Sequence, residues 1–178
     1  GNNLNTVANG KIRILTNTNR PAAFVPTGTN NSLTLADVNG DSMADILFGT
    51  QGSTYENTTS GVTYVFLQPS KAMGTWANDT YVTNTPITLF GVNPNEYQFF
   101  NGTFGFLIEG ATNDQMSTVK VADINKDGKN DILLAAPGTG GNSGGSIYVL
   151  YGRDTAPWMS RYHSTTSNPY INLYDINN

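Results

Sequence analysis

Cysteine is absent from the 178 residues of this chain, and charged residues are scarce. The chain therefore has no disulfide, no thiolate nucleophile and no cysteine-ligated zinc site. Only 12% of the residues are charged, and nine Lys and Arg residues are scattered along a chain of net charge −4. No basic stripe can neutralise phosphates, so we expect no nucleic-acid partner. No apolar run approaches the roughly 20 residues that cross a bilayer, so we expect no membrane insertion.

Candidate catalytic groups are also few. The glycine-rich segment 141–145 resembles the nucleophile loop of trypsin-like proteases, but that chemistry needs a His base held by an Asp. The single histidine, His163, lies downstream, in a different order. Glutamate occurs three times, so a glycosidase-type pair of carboxylates would have to borrow an Asp. We therefore expect a protein that is not an enzyme.

The residues that are abundant favour turns and pleated surfaces. Asn occurs 23 times and Gly 19 times, whereas hydrophobic residues make up 38% of the chain and the mean hydropathy is −0.31. Burial must then be spread over many short elements. Asn and Gly are turn residues, and good helix formers are scarce. The composition predicts an all-β fold with little or no helix.

An internal repeat organises the chain. The segment ADVNGDSMADILF, which begins at Ala36, recurs as ADINKDGKNDILL from Ala122, an offset of 86 residues. An Asn-Gly with apolar alternation precedes each copy, and a strand-like run follows each one. The two tryptophans, Trp76 and Trp158, fall at matching places. We interpret the chain as two copies of one unit, residues 1–90 and 91–178, of which the first is more degenerate.

Each copy contains short alternating segments separated by turn residues, which is typical of consecutive antiparallel strands. The second copy predicts strands near Phe104–Glu109, Ser117–Ala122, Asp131–Ala135, Ser146–Tyr151 and Tyr170–Tyr174. The C-terminal run from Ile171 matches the run from Ile87, which closes the first copy. The last residues of the chain thus correspond to the point in the repeat at which a further copy would start. We therefore expect residues 170–178 to include a strand that completes a neighbouring blade.

An acidic loop with the spacing D-x-N-x-D-x-x-x-D occurs in both copies. Six of the ten Asp residues fall in these two windows, where their charges repel each other unless a cation binds. Calcium takes six to eight oxygen ligands, which alternate residues of a tight loop can supply. We predict two calcium ions, one per copy, with backbone carbonyls at the seventh position of each loop. The predicted ligands are Asp37, Asn39, Asp41, Met43 and Asp45, and Asp123, Asn125, Asp127, Lys129 and Asp131.

Two other interpretations of the loops compete with calcium binding. An Asx-rich turn without metal accounts well for one loop, but less well for two loops with the same spacing. An EF-hand requires a Glu at position 12 and flanking helices. Position 12 is Phe48 in the first loop and Leu134 in the second, and both loops continue into strand-like sequence. The EF-hand is therefore rejected.

These motifs together resemble the FG-GAP repeat of integrin-α-type β-propellers. Phe104-Gly105 stands at the Phe-Gly landmark, and Ala135-Ala136-Pro137 stands at the Gly-Ala-Pro landmark after the acidic loop. In the first copy both landmarks are degenerate, with Ser42 at the loop position that Gly128 holds in the second. The resemblance implies two tandem antiparallel four-stranded blades, with calcium between the first two strands of each, as part of a larger propeller or head-to-tail assembly.

The resulting hypothesis is an extracellular, calcium-binding structural module for cell adhesion or assembly. Its expected partners are further propeller repeats or identical chains joined head to tail into a ring or filament, with a cell-surface protein or glycan as a further partner. A carbohydrate-binding propeller, using Trp76 and Trp158, and the non-catalytic propeller part of a secreted enzyme remain alternatives. Four sequons make the chain a candidate glycoprotein: they lie at Asn30, Asn57, Asn78 and Asn101.

Overall fold

The computed structural model describes residues 14–15, 31–51, 59–67, 87–88, 105–139, 144–152 and 170–173. These segments contain ten β-strands, which confirms the all-β prediction. The strands are β1 (Ile14–Leu15), β2 (Asn31–Ala36), β3 (Asp45–Thr50), β4 (Val62–Phe66), β5 (Ile87–Thr88), β6 (Gly105–Glu109), β7 (Thr118–Ala122), β8 (Asp131–Ala136), β9 (Ser146–Leu150) and β10 (Tyr170–Asn172). The five strands predicted for the second copy are all present, with ends that differ by one or two residues.

Five strands form the first sheet, in the order β10-β6-β4-β3-β2. The strands from β2 through β3 and β4 to β6 are antiparallel to their neighbours, whereas β10 runs parallel to β6. Strands β6 and β10 come from the second copy in the sequence but join the sheet built by the first. Every residue of β6 is buried, and β4 supplies the hydrogen-bonded partner along one of its edges.

The second sheet contains three antiparallel strands in the order β7-β8-β9. The described residues therefore form a five-stranded sheet, a three-stranded sheet and the two-stranded pair β1-β5. We expected two four-stranded sheets, each built from one copy. The difference arises because β6 pairs with β4, so the strand that opens the second copy is the fourth strand of the first sheet. Sheet membership is thus offset from the sequence repeat by one strand.

A parallel pair recurs in both copies. Strand β1 pairs with β5, with Ile14 opposite Ile87, and β6 pairs with β10, with Ile108 opposite Ile171. In each copy the strand that opens the unit is joined by the strand that closes it. The segment expected to complete a neighbouring blade thus pairs, over residues 170–172, within its own chain; residues 174–178 lie outside the described part.

The hydrophobic core lies between the two sheets. Side chains on alternate strand positions point to opposite faces, and one face of each sheet contributes to the core. Ser32 of β2 donates a hydrogen bond to the backbone carbonyl of Ser117 at 2.7 Å and accepts one from the backbone N–H of Val119 at 2.9 Å. Thr34 donates to the carbonyl of Val119 at 2.9 Å. The core cluster comprises Val38, Leu47, Val65, Leu67, Phe106, Ile108, Met116, Val119, Ile132, Leu134, Leu150, Ile171 and Leu173.

Glycine permits the close approach of the two sheets. A Cβ atom at Gly49 would collide with the backbone carbonyl of Ser117, and one at Gly61 would collide with the carbonyl of Met116. Gly61 also has a φ of 78°, a conformation that L side chains rarely adopt. No helix in the described ranges is long and apolar enough to cross a membrane.

Candidate calcium-binding loops

The two acidic loops occupy the same place in their sheets. The first joins β2 to β3 and the second joins β7 to β8. Each loop is closed by the last residue pair of its hairpin, Ala36 opposite Asp45 and Ala122 opposite Asp131. The alternation of the flanking strands fixes this register, because a slip by one residue would turn every core side chain to the other face.

In the first loop, the side chain of Asp37 organises the backbone. Its Oδ1 accepts hydrogen bonds from the N–H groups of Gly40 at 2.7 Å and Asp41 at 3.2 Å, and its Oδ2 accepts from Ser42 at 2.7 Å. The carboxylate therefore faces the inside of the turn. Asp37 is the first predicted ligand, and the local hydrogen bonding of an Asx turn accounts for its position.

The third and fifth positions of the first loop point to the same region. Asn39 accepts a hydrogen bond from the N–H of Asp41 at 3.1 Å through Oδ1, and its amide donates to Oδ2 of Asp41 at 3.2 Å. Oδ1 of Asp41 accepts from the N–H of Met43 at 2.8 Å. The loop thus brings together the oxygen atoms of its first, third and fifth residues.

The second loop repeats this arrangement. Asp123 accepts hydrogen bonds from the N–H groups of Asp127 at 3.2 Å and Gly128 at 2.9 Å. Asn125 accepts from the N–H of Asp127 at 3.1 Å and donates to its Oδ2 at 2.9 Å. Asp127 accepts from the N–H of Lys129 at 2.9 Å. The two loops share the spacing D-x-N-x-D-x-x-x-D but differ at every position between these residues, and they form the same turn.

Both loops also share two left-handed residues, at their fourth and sixth positions. The φ angles are 77° at Gly40 and 67° at Ser42 in the first loop, and 62° at Lys126 and 86° at Gly128 in the second. Glycine takes this conformation without steric cost, and each loop has one glycine, at the fourth position in the first and the sixth in the second. Each loop therefore also holds one non-glycine residue, Ser42 or Lys126, in the left-handed conformation.

The ninth-position carboxylates lie at the neck of each hairpin, where the loop meets the last residue pair of its two strands. Asp45 and Asp131 are fully buried. Asp45 accepts a hydrogen bond from the N–H of Val38 at 2.9 Å, and Asp131 accepts the equivalent bond from Ile124 at 2.9 Å. The other oxygen of Asp131 accepts from the N–H of Gly152 at 2.8 Å. These two predicted ligands are anchored in the sheet by backbone donors.

The donor set of each loop consists of oxygen atoms, which suits a hard divalent cation. Within the described ranges, no three or more His, Cys, Asp or Glu side chains are grouped so that they could hold a metal ion by themselves. A cation in these loops would have to recruit the Asn side chain and backbone carbonyls besides the carboxylates. For Met43 and Lys129, the structure shows backbone N–H groups bonded inside the loop and does not place their carbonyls at a site.

Hydrogen bonds within the second loop lower the pKa of the Asp127 carboxyl. The hydrogen bond from the Asn125 side chain, followed by that from the Lys129 backbone N–H, holds the pKa of the Asp127 carboxyl below its usual value. An aspartate is ionised at neutral pH in any case, and the lowered pKa extends this cation-binding form of Asp127 to more acidic conditions.

A direct hydrogen bond joins the two loops. Nδ2 of Asn130 in the second loop donates to the backbone carbonyl of Asp37 in the first at 2.7 Å. The donor precedes the neck residue Asp131, and the acceptor belongs to the first residue of the other loop. The two loops are thus neighbours at one end of the paired sheets.

Sequence reasoning missed Asp114, a buried acidic residue outside both loops. Asp114 is 1% exposed and accepts hydrogen bonds from the N–H of Ala111 at 2.8 Å, from Thr139 Oγ1 at 2.6 Å and from the Tyr148 hydroxyl at 2.9 Å. It ties the segment between β6 and β7 to the turn after β8 and to β9. The first copy has Gly28 at the corresponding place in the sequence, so the repeat pattern gave no signal for this residue.

The remaining sequence features lie outside the described residues. These are the four sequon asparagines, His163, both tryptophans and most of the glycine-rich segment 141–145. Glu109, one of the three glutamates, is fully buried and accepts a hydrogen bond from Ser60 at 3.1 Å.

The comparisons with known proteins agree with the repeat. No curated protein matches the chain. The family model described as FG-GAP repeat matches residues 29–66 and residues 117–150, and each match spans one acidic loop with the three strands around it. The fold, with its two packed β-sheets, is of the propeller-blade type. The two matched segments of this chain are thus FG-GAP repeats.

Proposed function

We propose that the chain is an extracellular, calcium-binding structural module in which one ion rigidifies the loop of each repeat. The observation that carries the proposal is the duplication of one loop geometry: the same side chains accept the same backbone hydrogen bonds in both copies. Duplicated acidic loops that retain their oxygen donors while their other residues diverge are what a common cation requires.

The charge distribution supports the same proposal. Three carboxylates lie within nine residues of each other in each loop, in a chain with only 13 acidic residues. Bringing such charges together raises the free energy of the folded state, and a divalent cation removes that cost. The two ions would also offset the formal charge of −4.

Calcium binding then has a structural consequence, since each loop joins two strands that contribute to the core. An ion that binds the folded loop and not the unfolded chain stabilises the fold by mass action, about 2.7 kcal/mol when free calcium is 100 times the dissociation constant. We propose that this rigid, non-catalytic scaffold serves adhesion or assembly through contacts with identical chains or with other propeller repeats.

Thermal unfolding with calcium and with a chelator tests this function. We expect the wild-type midpoint to fall on chelation, and we expect the Asp41→Ala, Asp127→Ala double variant to have a low midpoint that calcium no longer raises. Asp154→Asn, which removes an acidic residue outside both loops, is the matched control and should respond to calcium like the wild type. Equal midpoints for the wild type with calcium and with chelator would refute the structural ion.

A further inference from the structure

The two acidic loops share their geometry but differ in charge. The first loop, residues 37–45, contains three aspartates and no basic residue, whereas the second, residues 123–131, contains three aspartates and two lysines. The lysines offset two of the three negative charges of the second loop, so the formal charge is −3 in the first loop and −1 in the second. Because calcium affinity rises with the negative charge of the binding loop, the two loops differ as cation sites.

The two lysines stand where the first loop has uncharged residues. Lys126 occupies the fourth position, which is Gly40 in the first loop, and Lys129 occupies the seventh, which is Met43. A lysine side chain has no acceptor atom, so neither ammonium group can bind a cation. Both repel one instead, because a unit positive charge about 8 Å from a divalent ion in water lowers affinity roughly fivefold at low ionic strength.

The charge of Lys129 acts on a predicted ligand. The pKa of Asp127 is lowered first by the hydrogen bond from the Asn125 side chain, then by that from the Lys129 backbone N–H, and in addition by the positive charge of the Lys129 ammonium. This ammonium therefore stabilises the ionised carboxylate when no cation is bound. A cation that binds there gains correspondingly less, because part of the repulsion among the aspartates has already been removed.

The two loops also differ in burial. Val38 of the first loop is 2% exposed and belongs to the hydrophobic core cluster, whereas its counterpart Ile124 is 46% exposed. Asn39 is 6% exposed, whereas its counterpart Asn125 lies on the surface. Charges in a partly buried loop interact more strongly with an ion than exposed charges do, because less water screens them.

The second repeat contacts the first loop and helps to hold it. The side chain of Asn130 donates a hydrogen bond to the carbonyl of Asp37 at 2.7 Å. Asn130 is itself closely packed, since a Cβ atom at Gly152 would collide with its carbonyl. The residue of the first loop that corresponds to Asn130 is Ala44, which has no side-chain donor. The first loop is therefore held by its own turn and by the second repeat before an ion binds, which lowers the ordering cost of binding.

We propose that the two loops bind calcium with unequal affinity: the first loop binds tightly and stays filled, and the second binds weakly and exchanges its ion. The greater negative charge of the first loop, its deeper burial and its contact with the second repeat all favour this order. Lys126 and Lys129 set the lower affinity of the second loop. The inference rests on the proposed function and deepens it, because it makes one ion permanent and the other responsive to the calcium concentration.

Calorimetric titration of calcium into the chelator-stripped full chain, at low ionic strength, tests the inequality. We expect two binding events whose dissociation constants differ by about tenfold or more, the combined effect of two charges. The double variant Lys126→Met, Lys129→Met removes both charges and introduces no oxygen atom, so it should tighten the weaker site several-fold and leave the tighter site unchanged. Met43→Lys adds a charge to the first loop and should weaken the tighter site instead.

Two controls separate charge from side-chain shape. The double variant Lys126→Arg, Lys129→Arg keeps both charges and should retain the weak second site. Lys120→Met removes an exposed lysine of β7, outside the loop, and should bind both ions like the wild type. Salt gives a further readout, since the two dissociation constants should approach each other as sodium chloride rises to about 1 M, where the Debye length is about 3 Å.

The outcomes distinguish this inference from the proposed function. Two sites of equal affinity, or a lysine-to-methionine double variant that leaves the weaker site unchanged, would overturn the inequality and leave the calcium module standing, because both ions still bind. A double variant that tightens the stronger site would also overturn it, since the order of the loops would be reversed. A wild-type chain that takes up no calcium in the titration would overturn the proposed function itself.

Discussion

Asn130 donates a hydrogen bond from its side-chain amide to the backbone carbonyl of Asp37, and the two residues belong to different repeats. The bond links the neck of the second acidic loop to the first residue of the other loop. Its partly buried position makes the loss of the donor costly, because the carbonyl of Asp37 would remain without this partner.

Replacing Asn130 should therefore weaken the contact between the repeats. We expect Asn130→Ala to lower the free energy of unfolding by about 1 kcal/mol, the usual size for one lost hydrogen bond, as measured by urea unfolding in calcium. Asn130→Asp keeps the shape of the side chain but cannot donate, so it should cost at least as much. Wild-type stability in the aspartate variant would show that the bond contributes nothing.

Ser32 and Thr34 provide a graded test of the contact between the sheets. The Ser32 hydroxyl makes two hydrogen bonds to the second sheet, whereas the Thr34 hydroxyl makes one. Ser32→Ala leaves both the N–H of Val119 and the carbonyl of Ser117 without this partner, so we expect a loss of roughly 1–3 kcal/mol. Thr34→Val, which removes only one donor, should cost less in the same denaturant titration. The reverse order would contradict the geometry.

The hydrogen bond between Tyr148 and Asp114 anchors β9. Tyr148→Phe removes a hydrogen bond to a carboxylate and should destabilise the chain by about 1.5–3 kcal/mol at pH 7. Tyr151→Phe is the control, because Tyr151 is exposed. A double-mutant cycle with Asp114→Asn isolates the pair, and additive losses would mean that the two residues are not coupled.

The same pair predicts a dependence on alkaline pH. Burial, and then the hydrogen bond to Asp114, raises the pKa of the Tyr148 hydroxyl above its ordinary value of 10.0. A group whose folded pKa is raised contributes its full stability below the unfolded pKa, and loses it as pH rises through the folded value. The stability difference between the wild type and Tyr148→Phe should thus be constant below pH 10 and shrink above it. A difference that grows above pH 10 would contradict this assignment.

Gly61 and Gly145 occupy the same position in the two repeats but differ in surroundings. Gly61 has a left-handed backbone conformation, and a Cβ atom at this position would collide with the backbone of Met116. A Cβ atom at Gly145 would make only ordinary contacts, from 3.5 Å. We expect Gly61→Ala to lower the melting temperature by several degrees or prevent folding, and Gly145→Ala to change it little. Equal melting temperatures for the two variants would show that the sheets are less tightly packed at Gly61.

The strands and acidic loops could be predicted because their signals are local. Period-two alternation located β7 and β8 within a residue, and repetition of the spacing located both loops. The neighbour of β6 could not be predicted, since all five residues of this strand are buried and its local sequence does not specify that β4 pairs with it. Asp114 was missed for a related reason: its donors Thr139 and Tyr148 are distant in sequence, and its position has no acidic counterpart in the first repeat.

The local geometry of the loops was predictable only in part. The spacing singled out the side chains that accept the backbone hydrogen bonds of each loop, but not that the ninth-position carboxylates would be fully buried and bonded to backbone donors. The role of Gly40 was also missed, because the comparison of the copies drew attention to Ser42. The two loops share a left-handed backbone conformation at their fourth and sixth positions, but they do not share a glycine at either position.

The number of calcium ions retained by the chain tests the central claim most directly. Native mass spectrometry in a calcium-containing volatile buffer should show two ions on the wild type, one on Asp41→Ala, one on Asp127→Ala and none on the double variant. A wild-type chain that retains no calcium at concentrations where its fold is intact would contradict the account.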